Sequence, residues 1–245
     1  MIAGTVQFPI VRLTKRCFAY TAQFCSRNIH IFLHKTSLFL MLGGENMKKV
    51  YLICSLAVFL LITAGISYFL IRDASSKVPA NISLINQNGD SYSFGDDKKL
   101  KLVEFIYTNC PDICPTTTQK MVQLQGDLKN SNVFGKEIEF LTITIDPYHD
   151  TPEVIQQYMK AFEIPNSDNW IFLTGDQENI KADQKKIREV AESLQFQYKD
   201  PGNGQFVHTS FTYLIDENNK FISKFPMGEE FDKQEVYEEI MNEIK

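Results

Sequence analysis

The stretch that most narrows what this chain can fold into is an apolar run, Leu100-Lys101-Leu102-Val103-Glu104-Phe105-Ile106-Tyr107. It leads directly into Thr108-Asn109-Cys110-Pro111-Asp112-Ile113-Cys114-Pro115 and out through a helical pattern from Thr116 to Lys129. A buried strand that hands over to a helix within one short turn is a unit of layered α/β folds. Two thiols therefore fall at a helix N-terminus, where unpaired backbone N–H groups and the helix dipole favour thiolates. Three residues separate the cysteines. On a turn entering a helix that spacing permits, without ensuring, the Cβ separation of about 3.5–4.5 Å that a disulfide needs. The same two thiolates would also make two corners of a soft-metal site, and two buried cysteines can simply pack as small apolar groups. Pro111 and Pro115 stiffen the loop, and Asp112 reads as a turn-former.

The remaining elements follow in order. Asn81–Asn86 and Ser91–Phe94, joined around Asn88-Gly89, read as a β-hairpin. Glu137 to Asp146 is a long β-branched run, hence a buried strand. Thr151-Pro152-Glu153 starts a helix, with Thr as N-cap, Pro at the first position and an acid in the first turn, and it runs to about Phe162. Trp170–Thr174 is a short strand, and Gln177 to Leu194 is helical with Ile180, Ile187, Val190, Ala191 and Leu194 on one side. Ser210–Asp216 and Lys220–Phe225 form a second hairpin, and a last helix spans about Asp232 to Ile244. The order β-β-β-α-β-α-β-α-β-β-α predicts an α/β domain in which helices flank a mixed sheet, with one hairpin at each end of the sequence.

Upstream lies a different kind of segment. Val50 to Ile71 gives 22 uncharged, mainly apolar positions. As a helix that is roughly 33 Å, enough for a hydrocarbon core of about 30 Å. Lys48 and Lys49 precede it, so the positive-inside tendency places that end in the cytoplasm and the globular part outside. The run is longer than a signal-peptide core, and no small-x-small site follows closely, so an uncleaved single-pass anchor over 48–72 is expected. Residues 73–79 read as a polar linker and 80–245 as the folded domain. Residues 1–46 are basic and unpatterned. They are expected to be a non-native or disordered extension, because Met47-Lys48-Lys49 before an apolar run reads as a bacterial membrane-protein start. Residues 1–72 carry eight Lys/Arg and one acid, which leaves 17 basic and 29 acidic residues, a net of −12, in 73–245. A domain this acidic, with no Lys/Arg cluster, argues against nucleic-acid binding. Of five cysteines only Cys110 and Cys114 lie in it; Cys17, Cys25 and Cys54 come earlier. One close pair is too few for a disulfide scaffold.

Two further histidines are candidates within the domain. His208, in Gln205-Phe206-Val207-His208-Thr209-Ser210, stands just before the second hairpin, after a loop with Pro201-Gly202-Asn203-Gly204. His149 lies in the turn Asp146-Pro147-Tyr148-His149-Asp150, where a histidine is expected to face solvent. Asp146 and Asp150 either cap the following helix or stand behind the site. His30 and His34 have the i, i+4 spacing of metal ligands but fall in the doubtful extension.

Three motifs taken together carry a resemblance: Thr108 to Pro115, then Thr142-Ile-Thr-Ile-Asp146-Pro147 to Asp150-Thr151-Pro152, then Val207-His208-Thr209-Ser210. In this order and spacing they closely resemble the Sco/SenC/PrrC family of membrane-anchored, thioredoxin-like copper chaperones for cytochrome c oxidase assembly. The likeness covers about residues 80–245 and implies a thioredoxin-like fold. It also implies copper as cargo, with Cys110, Cys114 and His208 as the metal ligands and the copper-bearing subunit of the oxidase as partner. Asp146 matches a motif carboxylate near the site; His149 stands at a family position that is often not histidine and is not carried over as a ligand. The donor chemistry agrees, since soft thiolates favour Cu(I) and imidazole helps to retain Cu(II). The pair Cys110 and Cys114 would also be redox-active, and its oxidation to a disulfide would stop metal binding. The implied role is therefore a metallochaperone rather than an enzyme. The alternative is a thiol–disulfide oxidoreductase that reduces the copper-ligand cysteines of the oxidase subunit and does not need His208. A peroxide-reducing enzyme would require a peroxidatic cysteine environment that the sequence does not offer.

Overall fold

The computed structural model describes residues 45–74, 76–96 and 98–244. The expected extension, with Cys17, Cys25, His30 and His34, lies outside the described residues except at its last two positions. The chain divides into one unit ending at Phe69 and a second running from Leu70 to Lys245.

Helix α1 (Glu45–Ala74) carries, within the first unit, a 22-residue apolar window, Met47–Tyr68, of mean hydropathy 2.3, none of it buried. It is long and apolar enough to cross a membrane. Within it Ser55 and Thr63 turn their hydroxyls back onto the carbonyls of Leu52 and Leu60, which satisfies them without water.

The second unit is a seven-stranded mixed sheet. Its strands are β1 (Ser83–Asn86), β2 (Ser91–Ser93), β3 (Leu100–Ile106), β4 (Ile138–Thr144), β5 (Trp170–Thr174), β8 (Phe211–Ile215) and β9 (Phe221–Pro226), in the order β2-β1-β5-β4-β3-β8-β9. Parallel pairs β3–β4 and β4–β5 form the centre, where every β4 residue is buried, as expected of strands covered on both faces. Antiparallel hairpins close both edges. Helices α2 (Ile113–Asn130), α3 (Pro152–Ala161), α4 (Ile180–Ser193) and α5 (Lys233–Glu243) complete the layers. Helix α2 is tied to α5 by Ser131 with Tyr237 (2.7 Å) and Lys233 with Asp127 (2.5 Å), and to α3 by Thr118 with Tyr158 (2.9 Å). The α/β architecture is the one the element order predicts.

Three differences bear on the site. A two-stranded sheet, β6 (Tyr198–Lys199) with β7 (Val207–His208), is absent from the sequence reading. It pairs Tyr198 with His208 and holds that histidine in a strand. Thr151 occupies the N-cap position of α3, but its hydroxyl donates to Glu153 (2.7 Å) and makes no cap bond. Within the stretch read as a linker, Val78 is fully buried and its N–H donates to the Asn219 carbonyl (2.9 Å), while Lys77 bridges to Lys220.

Candidate metal and redox site

Sheet topology explains why residues almost a hundred positions apart meet. Strand β8 runs antiparallel to β3, with Val103 opposite Tyr213, so the start of β8 lies beside the end of β3. Cys110 follows β3 and His208 precedes β8; both therefore emerge at one edge. That edge is the carboxyl end of the parallel strands, where α/β sheets place their sites. The donor atoms of Cys110, Cys114 and His208 all lie within 4.8 Å of one another, and among the described residues this is the one such group. Cys114, the second residue of α2, is fully buried; Cys110, in the turn, is half-buried. The three residues nominated as ligands are thus brought together.

The two thiols are electrostatically unlike. Cys110 is pulled down to about 3, first by the hydrogen bond from Cys114 and further by His208 and the backbone N–H groups of Asp112 and Cys114, with burial opposing. These donors favour its thiolate, the direction expected beside a helix N-terminus. Cys114 moves the other way: the bond to Cys110 holds its proton, and burial and the negative charge on Cys110 add to this. Burial disfavours charge on His208, but the Cys110 hydrogen bond, the Thr209 carbonyl and the Cys110 charge outweigh it, and its pKa rises.

His208 is also fixed in orientation. Its Nδ1–H donates to the Thr209 carbonyl at 2.8 Å, which leaves Nε2 to offer its lone pair to a metal or, when protonated, to donate to the Cys110 thiolate. Its ring stacks on Phe196 (5.7 Å between centroids, 22° between planes) and meets the edge of Tyr107 (6.2 Å). Phe196 in turn stacks on Phe105 of β3 at 4.4 Å, so the imidazole is braced by the sheet. Tyr107 also shares a hydrogen bond with Cys110, and its hydroxyl pKa is pushed up to about 12, chiefly by burial and then by the charge on Cys110.

The acidic turn separates into two jobs, neither of them helix capping. Asp146 accepts from His149 Nδ1 at 2.8 and 2.9 Å, and the histidine is exposed, as expected for a turn residue. Asp150 is buried and accepts from the backbone N–H (3.1 Å) and hydroxyl (2.5 Å) of Thr108, two residues before Cys110. Beneath the thiols lies a group that sequence reasoning passed over. Glu104, inside β3, is fully buried and its pKa is raised to about 8 by burial, which the hydroxyls of Thr142 and Thr118 only partly offset. A charged residue at an inward position of a buried strand was the available signal.

A thioredoxin-like sheet that gathers an asymmetric dithiol and an oriented imidazole at one edge defines a class of small domains built for soft metals or dithiol exchange. The chain belongs to the SCO1/SenC family, whose model matches residues 72–245. An SCO2-like protein of Rickettsia typhi is 34% identical over 215 residues, covering 81% of this chain and 99% of its own. The structure of BsSco, a member of the Sco family of cytochrome c oxidase assembly proteins in which a disulfide switch was identified, is 29% identical. It covers 69% of this chain and 93% of its own with a TM-score of 0.57. Arabidopsis thaliana ScoI, solved with copper bound, shares the fold at 24% identity and a TM-score of 0.55, covering 68% and 95%.

Proposed function

We propose that this protein is a copper metallochaperone that holds one copper ion through Cys110, Cys114 and His208 and delivers it to the binuclear copper centre of cytochrome c oxidase. The observation that carries the reading is the convergence of two thiol sulfurs and an imidazole whose other nitrogen is already engaged. Soft sulfur suits Cu(I) and imidazole extends the site to Cu(II). Three ligands leave a coordination position for an incoming donor, which is what transfer to a partner requires. With the helix over 48–72 as a single-pass membrane anchor and 73–79 joining it to a copper-binding domain over 80–245, the site would face the extracytoplasmic side of a bacterial membrane. Copper titration of the reduced full chain in detergent, followed by absorption and EPR, tests this. His208→Ala should retain the fold and lose Cu(II) retention, and unchanged affinity would refute the ligand set.

A second reading rests on the asymmetry of the thiols. A thiolate at Cys110 beside a protonated, buried Cys114 is the arrangement of an attacking and a resolving cysteine. Cys110 sulfur would attack a partner's disulfide and release one thiolate. Cys114, losing its proton, would then displace the second thiolate and leave Cys110 and Cys114 oxidised. BsSco's disulfide switch is a precedent within the family. Under this reading alone, His208→Ala would leave reduction of the partner's copper-ligand cysteines intact.

A further inference from the structure

The turn between β4 and α3 contains a carboxylate to which the copper reading gives no task. Asp150 is 1% exposed and lies outside the group of three candidate ligands. Buried polar groups are kept inside a protein when they are hydrogen-bonded, and three donors are gathered on this carboxyl group. Two come from Thr108, its N–H at 3.1 Å and its hydroxyl at 2.5 Å; the third is the hydroxyl of Thr144. The backbone carbonyl of Asp150 accepts a fourth bond, from the Thr174 hydroxyl at 2.7 Å. Thr144 ends β4 and Thr174 ends β5, so Asp150 is anchored to the ends of two central strands.

What it grips from there is the first residue of the thiol loop. The ladder between β3 and β4 stops at Ile106 opposite Thr144, and beyond it the backbone of β3 has no strand partner. Cys110 lies four residues past that point. A buried carboxyl group is not needed to join β3 to β4, which the ladder already does. It is suited to holding the segment after the ladder ends, because its two oxygens take bonds from Thr108 on one side and Thr144 on the other. Asp146, the carboxylate singled out from the sequence, is spent instead on exposed His149.

We infer that Asp150 is a positioning residue for Cys110: it clamps Thr108 to the ends of β4 and β5 and so keeps the Cys110 sulfur within reach of Cys114 and His208. The consequence for metal rests on the copper reading above; the consequence for the thiol does not.

Two variants test this in the full chain in detergent, Asp150→Asn and Thr108→Val, alone and combined. The second leaves the carboxylate and the backbone bond in place and removes only the hydroxyl, so it serves if the first does not fold. Two quantities are read beside the melting temperature: copper retention against a chelator, and alkylation of Cys110 at pH 5 in reduced, metal-free protein. Loss of a group that orients a metal ligand costs roughly 10- to 100-fold in metal affinity. Each single variant should fall in that range and alkylate Cys110 more slowly, and the double variant should be no worse than the more severe single one. A lower melting temperature with copper retention and Cys110 reactivity unchanged would make Asp150 merely structural and overturn the inference. So would strictly additive effects. If the wild-type chain binds no copper, the copper reading fails, while the alkylation arm still decides the role of Asp150.

Discussion

Replacing Glu104 by Gln should stabilise this protein, and by an amount that depends on pH. In the folded chain Glu104 is fully buried, its Oε1 has no hydrogen-bond partner among the described residues, and its Oε2 lies 3.5 Å from the Thr142 hydroxyl. Burial raises its pKa from 4.5 to about 8. A carboxyl whose folded pKa is raised binds its proton more tightly when folded, so its penalty is absent below about pH 4.5 and grows as pH rises towards 8. At about 1.4 kcal/mol per pH unit, the unfolded state gains ~3 kcal/mol by pH 7 and ~5 kcal/mol by pH 9. Gln has nearly the same shape and no charge to lose, although it forgoes about 1 kcal/mol of hydrogen bonding if its amide finds poor partners. The net expectation is ~2 kcal/mol at pH 7, a rise of roughly 4–8 °C in melting temperature for a domain of this size. Guanidinium and thermal unfolding of wild type and Glu104→Gln in detergent at pH 5, 7 and 9 would measure it. A difference that does not change with pH, or a variant equally destabilised at pH 5 and 9, would refute the assignment of Glu104 as a buried carboxyl held neutral.

Other outcomes follow from the same geometry. Because Cys110 is held at about 3, its alkylation in the reduced protein should be nearly independent of pH between 5 and 8, whereas an ordinary thiol accelerates roughly tenfold per unit there; mass spectrometry of the labelled peptides should find Cys110 modified and Cys114 protected. Gly228 has φ +71°, and a Cβ added to it would meet Ile113 Cγ1 at 2.8 Å, so Gly228→Ala should cost about 1–2 kcal/mol or more and lower the melting temperature. Phe196→Ala removes the ring stacked between Phe105 and His208 and should cost about 3–5 kcal/mol in guanidinium unfolding, with weakened copper retention besides.

Much of this architecture can be read from local pattern. The apolar runs of β3 and β4 and the Thr-Pro-Glu start of α3 place their elements to within a few residues, because burial on both faces and fixed φ at proline act locally. The cysteines were legible as a pair because their turn and helix are contiguous. His208 was legible only through the family motifs: what brings it to Cys110 is the antiparallel docking of β8 on β3, a long-range pairing that no window of sequence encodes. The β6–β7 pair was missed because two-residue strands carry no alternation. The division of labour between Asp146 and Asp150 was hidden for a related reason. Both sit in one acidic turn, and only the ends of β3, β4 and β5, brought side by side, decide which carboxylate faces Thr108.

The atoms that surround copper in the loaded protein decide the ligand set most directly. X-ray absorption at the copper edge, on full chain loaded with one equivalent, should find two sulfur scatterers and an imidazole nitrogen, with the imidazole contribution gone in His208→Ala. A copper environment with no sulfur, or one unchanged by that substitution, would contradict it.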